Sequence, residues 1–322
     1  MNKILTVLNL ILIGILVYIL IYPQMQARKT VEATVVYQLD VGALPLFVAE
    51  KYGFFDSTNV KVESKEALYG IEGIEDVAKG KAQVLVGINW MNALFKMATR
   101  PEAYRVLYSA SYGADHPYTA LLTLRKKRIR KLKQLELKKV GFLRGSRFDF
   151  FLKDFLKKEG VDPDKISFVG LLPSEMDSAL EKNLVDVLLA PEPYRSLLMD
   201  RKGIRVLEDG FLEKRIVTPL PVSLGVTSIV NLNLNKVKVQ RVYQALEMAL
   251  SFIRNYPDSV VQIYRQRFEL PDSAVVNLPR FSTYQEIEPA RLQKVVEACK
   301  EAQILLVDID PTQLILQPAE IK

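Results

Sequence analysis

Two carboxylates stand where the residue pattern ends a strand: Asp40 after Thr34–Leu39, and Glu192 after Val185–Ala190. A carboxylate there can accept hydrogen bonds from a ligand amine or a heterocycle N–H, or it can cap the helix that follows. Gly145-Ser146-Arg147 precedes a helical run. Its backbone N–H groups, hydroxyl and guanidinium suit an anion; a Ser N-cap beside a solvated Arg is the alternative. A cation at a helix N-terminus opposes the helix dipole, which favours a functional role for Arg147. Trp90, the sole tryptophan, falls at a strand-to-helix turn, where it can stack on a planar ligand or pack in the core. Tyr37, Tyr112 and Tyr194 are further aromatic candidates. One His (His116) and one Cys (Cys299), far apart in sequence, make neither a nucleophile–base pair nor a metal site. The residues therefore point to binding, with no enzyme activity and no cofactor expected.

The elements that must position these groups repeat. In Thr34–Phe55, Val35, Tyr37 and Leu39 alternate as a strand does, and Asp40-Val41-Gly42-Ala43 makes a turn. Pro45 suits the first turn of a helix, and Gly53 can end it. The free N–H groups at that turn, from Asp40 through Leu44, form the pocket expected to hold a ligand. Strands follow at Val60–Val62 and Gln83–Gly87, with a helix at Ile74–Lys79 between them. Ile88 to Asn92 leads into a further helix, Ala93–Ala98, and strands at Tyr104–Ala110 and Tyr118–Leu124. A second unit repeats the plan: strand Lys139–Leu143, helix Phe148–Glu159, strand Ile166–Val169 and a helix from Pro173. Lys182 to Ala190 echoes Lys79 to Gly87, with Asn183 in the place of Gly80. Pro221–Val230 reads as one more strand, carrying Gly225, before helices at Lys236–Tyr256, Pro257–Phe268 and Pro289–Ala302. The pattern predicts two similar α/β lobes, 31–113 plus 223–322 and 114–222. Crossings near 111–117, where His116 has a structural role, and 218–226 form a hinge, and the cleft between the lobes is the ligand site.

The formal charge of +7 is uneven. Residues 1–30 contribute +3 and the run Arg125–Lys139 contributes +8, so taking both from +7 leaves −4 for the rest. That distribution excludes a nucleic-acid binder by charge. The basic run fits a solvated loop or a surface for anionic lipid. Ile4–Tyr22 is 19 residues without a charge, close to the ~20 needed to cross a bilayer. Against a cleaved signal stand its length and the poor cleavage site at Pro23–Ala27. The expectation is an uncleaved N-terminal transmembrane helix, with residues 1–30 as anchor and linker. The bulk of the chain then lies on the extracytoplasmic side of a cell membrane. Cys299, on a helical stretch, fits a packed thiol.

The stretches GALPLFVAEKYGFF, EDVAKGKAQVLVG, LKQLELKKVGFLRGS and LLAPEPY together resemble the extracytoplasmic solute-binding proteins of ABC importers. The similar branch is the type 2 periplasmic-binding fold that takes nitrate, sulfonates, taurine or thiamine-pyrimidine precursors, and the resemblance spans Thr34 to Ser228. It implies an ABC permease as partner. It also implies a ligand held by Asp40, Gly42, Ala43 and Leu44, by Asn89-Trp90-Met91, by Gly145-Ser146-Arg147 and by the turn at Glu192-Pro193. The same fold hosts enzymes of cofactor and pyrimidine synthesis, the latter marked by a cysteine cluster this one-cysteine chain lacks. A non-transport sensor or scaffold is the remaining alternative.

Overall fold

In the computed structural model the described residues are 8, 11–18 and 29–321. The chain alternates strand and helix through its first unit: β1 (Val31–Tyr37), α1 (Leu44–Lys51), β2 (Val60–Glu66), α2 (Ile71–Ala78), β3 (Val84–Asn89), α3 (Trp90–Met97) and β4 (Tyr104–Tyr112). It crosses to a second unit of β5 (Thr119–Leu124), β6 (Lys139–Leu143), α4 (Phe148–Lys158), β7 (Ser167–Leu171), β8 (Val187–Pro191) and β9 (Ile204–Asp209). It then returns as β10 (Leu220–Ser228), α5 (Lys236–Asn255), α6 (Pro257–Arg267), β11 (Arg280–Thr283) and α7 (Pro289–Glu301).

The strands form two sheets. The first has the order β11-β4-β10-β3-β1-β2 and the second β7-β6-β8-β5-β9. In each, three parallel strands (β2-β1-β3, β7-β6-β8) are followed by one antiparallel strand laid down just after a crossing: β10 in the first sheet, β5 in the second. Parallel strands covered on both faces read as continuous apolar runs, and β3 and β8 are buried at every residue. Helix α1 is apolar nearly all round because it lies between the first sheet and α5.

Two strands have no counterpart in the sequence reading. β9 is six residues between Gly203 and Gly210, and β11 is four residues; both are sheet edges, where alternation is short and weak. Helix α2 starts three residues earlier than its periodicity suggests, because Gly70 turns into it at φ +72°.

The two crossings are bound together. Glu213, buried between them, accepts from the backbone N–H groups of Tyr118 and Thr119 and from the Thr119 hydroxyl at 2.7 Å. Gly210 N–H donates to Thr119 O at 2.7 Å. Tyr112 stacks on Tyr118 across the first crossing, with ring centroids 5.3 Å apart.

The expected bilayer-spanning segment, residues 4–22, lies largely outside the described residues. Within it, 11–18 is helical and exposed. Among the described residues no helix is long and apolar enough to cross a membrane.

Candidate ligand-binding cleft

The strand ends of the two sheets meet at a cavity of about 60 Å³ lined by residues from both. Gln38, Leu39 and Asp40 follow β1, Leu68 and Tyr69 follow β2, and Asn89 ends β3. From the other sheet come Leu143 to Ser146 after β6 and Pro173 after β7, with Tyr118 at the crossing.

The loop after β1 is held rigidly. Asp40 Oδ1 accepts from Gly42 N–H at 3.1 Å, and Tyr108 donates its hydroxyl to Gly42 O at 2.7 Å. Tyr108 reaches that carbonyl because position 225 of β10 lacks a side chain: a Cβ there would lie 2.2 Å from the Tyr108 ring. Burial of the Asp40 carboxyl raises its pKa to about 6, against the opposing pull of the Gly42 N–H and the Ser223 hydroxyl. No Lys or Arg among the described residues forms an ion pair with Asp40. Two residues earlier, the side-chain oxygen of Gln38 is buried without a hydrogen-bond partner.

The sheets also touch each other directly. Asn92 of α3 donates to Gly145 O at 2.8 Å and accepts from Arg147 Nε at 3.2 Å. The Arg147 guanidinium lies 3.6 Å from the centre of the Phe95 ring, a cation–π contact, and burial lowers its pKa. Tyr69 packs flat against Gly145, whose φ is +81°.

Of the residues singled out from sequence, Asp40, Asn89, Gly145 and Ser146 line the cavity. Their duties differ. Asn89 Oδ1 caps α3 through Met91 N–H at 2.9 Å. The Ser146 hydroxyl donates to Leu143 O at 2.6 Å and accepts from Phe148 N–H, so it serves its own turn. Seven others do not line the cavity, and their groups are engaged elsewhere. Gly42, Ala43 and Leu44 are buried, and their N–H groups close the loop itself, donating to Asp40 Oδ1, Asp40 O and Val41 O. Met91 and Trp90 are fully enclosed, and the indole N–H donates to Ser109 Oγ at 3.1 Å inside the first lobe. Arg147 bridges to Phe95 and Asn92 rather than presenting a free cation. Glu192 is enclosed by Arg195 at 3.0 Å, the Ser196 hydroxyl at 2.7 Å and Asn277 at 3.0 Å; burial nonetheless raises its pKa. Of the aromatic candidates, Tyr112 donates to Asn277 O at 3.0 Å and Tyr37 to Glu66 at 3.2 Å. Gln38 and Tyr69 were not foreseen; Gln38 follows β1 directly, and a turn closed by Asp40 N–H to Gln38 O at 2.8 Å brings it to the cavity with Asp40.

Two α/β lobes joined by two crossings, with strand ends from both enclosing one cavity, define the type 2 periplasmic-binding fold. Solved structures agree. The periplasmic aliphatic sulphonate binding protein SsuA of Escherichia coli is similar at TM-score 0.67 and 17% identity, over 89% of this chain and 92% of that one. The alkanesulfonate-binding protein SsuA of Xanthomonas axonopodis pv. citri, bound to MOPS, gives TM-score 0.67 and 18% identity over 89% and 99%. The periplasmic nitrate-binding protein NrtA of Synechocystis gives 0.66 and 13% over 88% and 84%. Comparison with curated protein sequences gives no match. The profile described as NMT1/THI5 like matches residues 41–260, more than half of the chain, and the protein belongs to that family.

Proposed function

We propose that the protein is an extracytoplasmic solute-binding protein of an ABC-type importer, which closes on a small polar solute and presents it to a permease. The observation that carries this reading is the cavity itself: its walls come from the strand ends of both sheets, and among the described residues the two crossings are the covalent links between them. A guest contacting both walls favours the closed form by its differential affinity. The sulfonate and nitrate binding recorded for the structural neighbours supports the class. In this reading the lobes are 31–113 with 223–322, and 114–222, the return lying close to the start of β10 at Leu220.

Residues 4–22 form a single-pass anchor in the same reading. The chain enters the first lobe at the end of β1 away from the cavity, where Arg241 donates to Lys29 O at 2.5 Å and Asn59 O at 2.8 Å. A tether there leaves the cleft free. The basic run also lies away from the cavity, between the end of β5 and the start of β6; Ile129 and Leu135 are buried and most of its cations face solvent.

The test is closure. Spin labels at Glu72→Cys and Ser174→Cys, both exposed positions on opposite sides of the cleft, report the interlobe distance in the full chain. A solute from a panel of anions, amines and heterocycles is expected to narrow that distribution and raise the melting temperature saturably. A panel that moves neither quantity refutes the proposal.

A further inference from the structure

Resting on the solute-binding reading, we infer that the cleft takes a cationic solute bearing N–H donors, such as a guanidinium, amidinium or amine, held by the Asp40 carboxylate and the Gln38 amide oxygen. Four observations converge. Asp40 is a carboxylate at the cavity wall with no cation in ion-pair reach among the described residues. Its surroundings supply only one backbone N–H and one hydroxyl, so the desolvation of the charge is incompletely offset. The side-chain oxygen of Gln38, which lines the same cavity, is buried and unpartnered, which costs stability unless a guest brings a donor. The cations that would recruit an anion are engaged: Arg147 on Phe95 and Asn92, and Arg144 with Nε and Nη2 both donating to Gly170 O at 3.2 and 3.0 Å.

Gln38 and Asp40 flank a tight turn in which Asp40 N–H donates to Gln38 O at 2.8 Å, and both line the cavity, so the wall after β1 offers two acceptors to a donor with more than one N–H. The aromatic side chains of Tyr69 and Tyr118 also line the cavity, and aromatic rings favour a planar cation. The charge class thus differs from that of the sulphonate and nitrate binders sharing the fold.

Methylguanidinium and methanesulfonate, similar in size and opposite in charge, form the test pair, with nitrate as a second anion. Calorimetry on the full chain is expected to give saturable binding of methylguanidinium and none of either anion. Asp40→Asn retains a side chain able to accept from Gly42 N–H and should weaken methylguanidinium by about 30-fold. Gln38→Leu should weaken it by about 10-fold while raising the melting temperature of the empty protein, a result that also certifies its folding. Binding of an anion in place of methylguanidinium, or affinity unchanged in Asp40→Asn, overturns the inference and leaves the solute-binding reading intact. Failure of every solute, of either charge, to bind or to change the interlobe distance overturns both.

Discussion

Replacing Gly145 by Ala should open the cleft. A Cβ at 145 would sit 2.5 Å from Tyr69 Cδ1 and 2.8 Å from Cε1, so the ring must withdraw or the lobes must part. Overpacking of this kind costs about 1–3 kcal/mol, which acts only where Tyr69 meets position 145. That is about 5–150-fold in the closure equilibrium. The same substitution also strains the turn, since φ at 145 is +81°. A non-glycine residue there costs about 1–3 kcal/mol, but open and closed forms bear it alike. The two effects separate by assay: strain lowers the melting temperature, and the clash lengthens the distance between labels at 72 and 174. Tyr69→Ala in the Gly145→Ala background removes the clash and leaves the strain, so the distance should return while the melting temperature stays low. A distance distribution unchanged in Gly145→Ala, or not restored by Tyr69→Ala, refutes the assignment of this contact to closure.

Two further outcomes follow from the site's surroundings. Asp40 should titrate near pH 6 by carboxyl NMR in the empty protein, and Ser223→Ala should move it higher by removing the hydroxyl that favours the charged form. Because its folded pKa lies above the ordinary carboxylate value, the folded state binds more protons between about pH 4 and 6. Stability should therefore fall, by at most about 3 kcal/mol, as pH rises through that window, and Asp40→Asn should abolish this component of the slope. Trp90→Phe should cost about 1–3 kcal/mol of stability through the lost bond to Ser109 and the cavity left behind. Its solute affinity in calorimetry should match the parent protein; a large loss would return Trp90 to the cleft.

The architecture was more legible than the cleft, for a physical reason. Strand and helix periods are local, so the β1–α1 unit and its echo in β6–α4 follow from spacing and from Gly and Pro placement. Side-chain duty is decided by partners distant in sequence. Trp90 sits at a strand-to-helix turn, but its N–H finds Ser109 on β4, so it points into the lobe. Arg147 precedes a helix, as an anion binder would, but Phe95 and Asn92 of the other lobe occupy it. Glu192 likewise meets Asn277, which the returning chain brings beside Pro117 of the first crossing. Tyr69 had no local signature at all: its meaning comes from a glycine 76 positions later.

The exchange of fourth strands has a consequence for biogenesis. β4 pairs with β10, β11 and the tail at Ile315–Leu316, all later in the chain, whereas every strand of the second sheet is complete by Asp209. As the polypeptide emerges from N- to C-terminus, the middle lobe can finish assembling while β4 still waits with both edges bare. The outer lobe closes around it last, so truncation between Glu213 and residue 220 strands one half of the molecule and leaves the other whole.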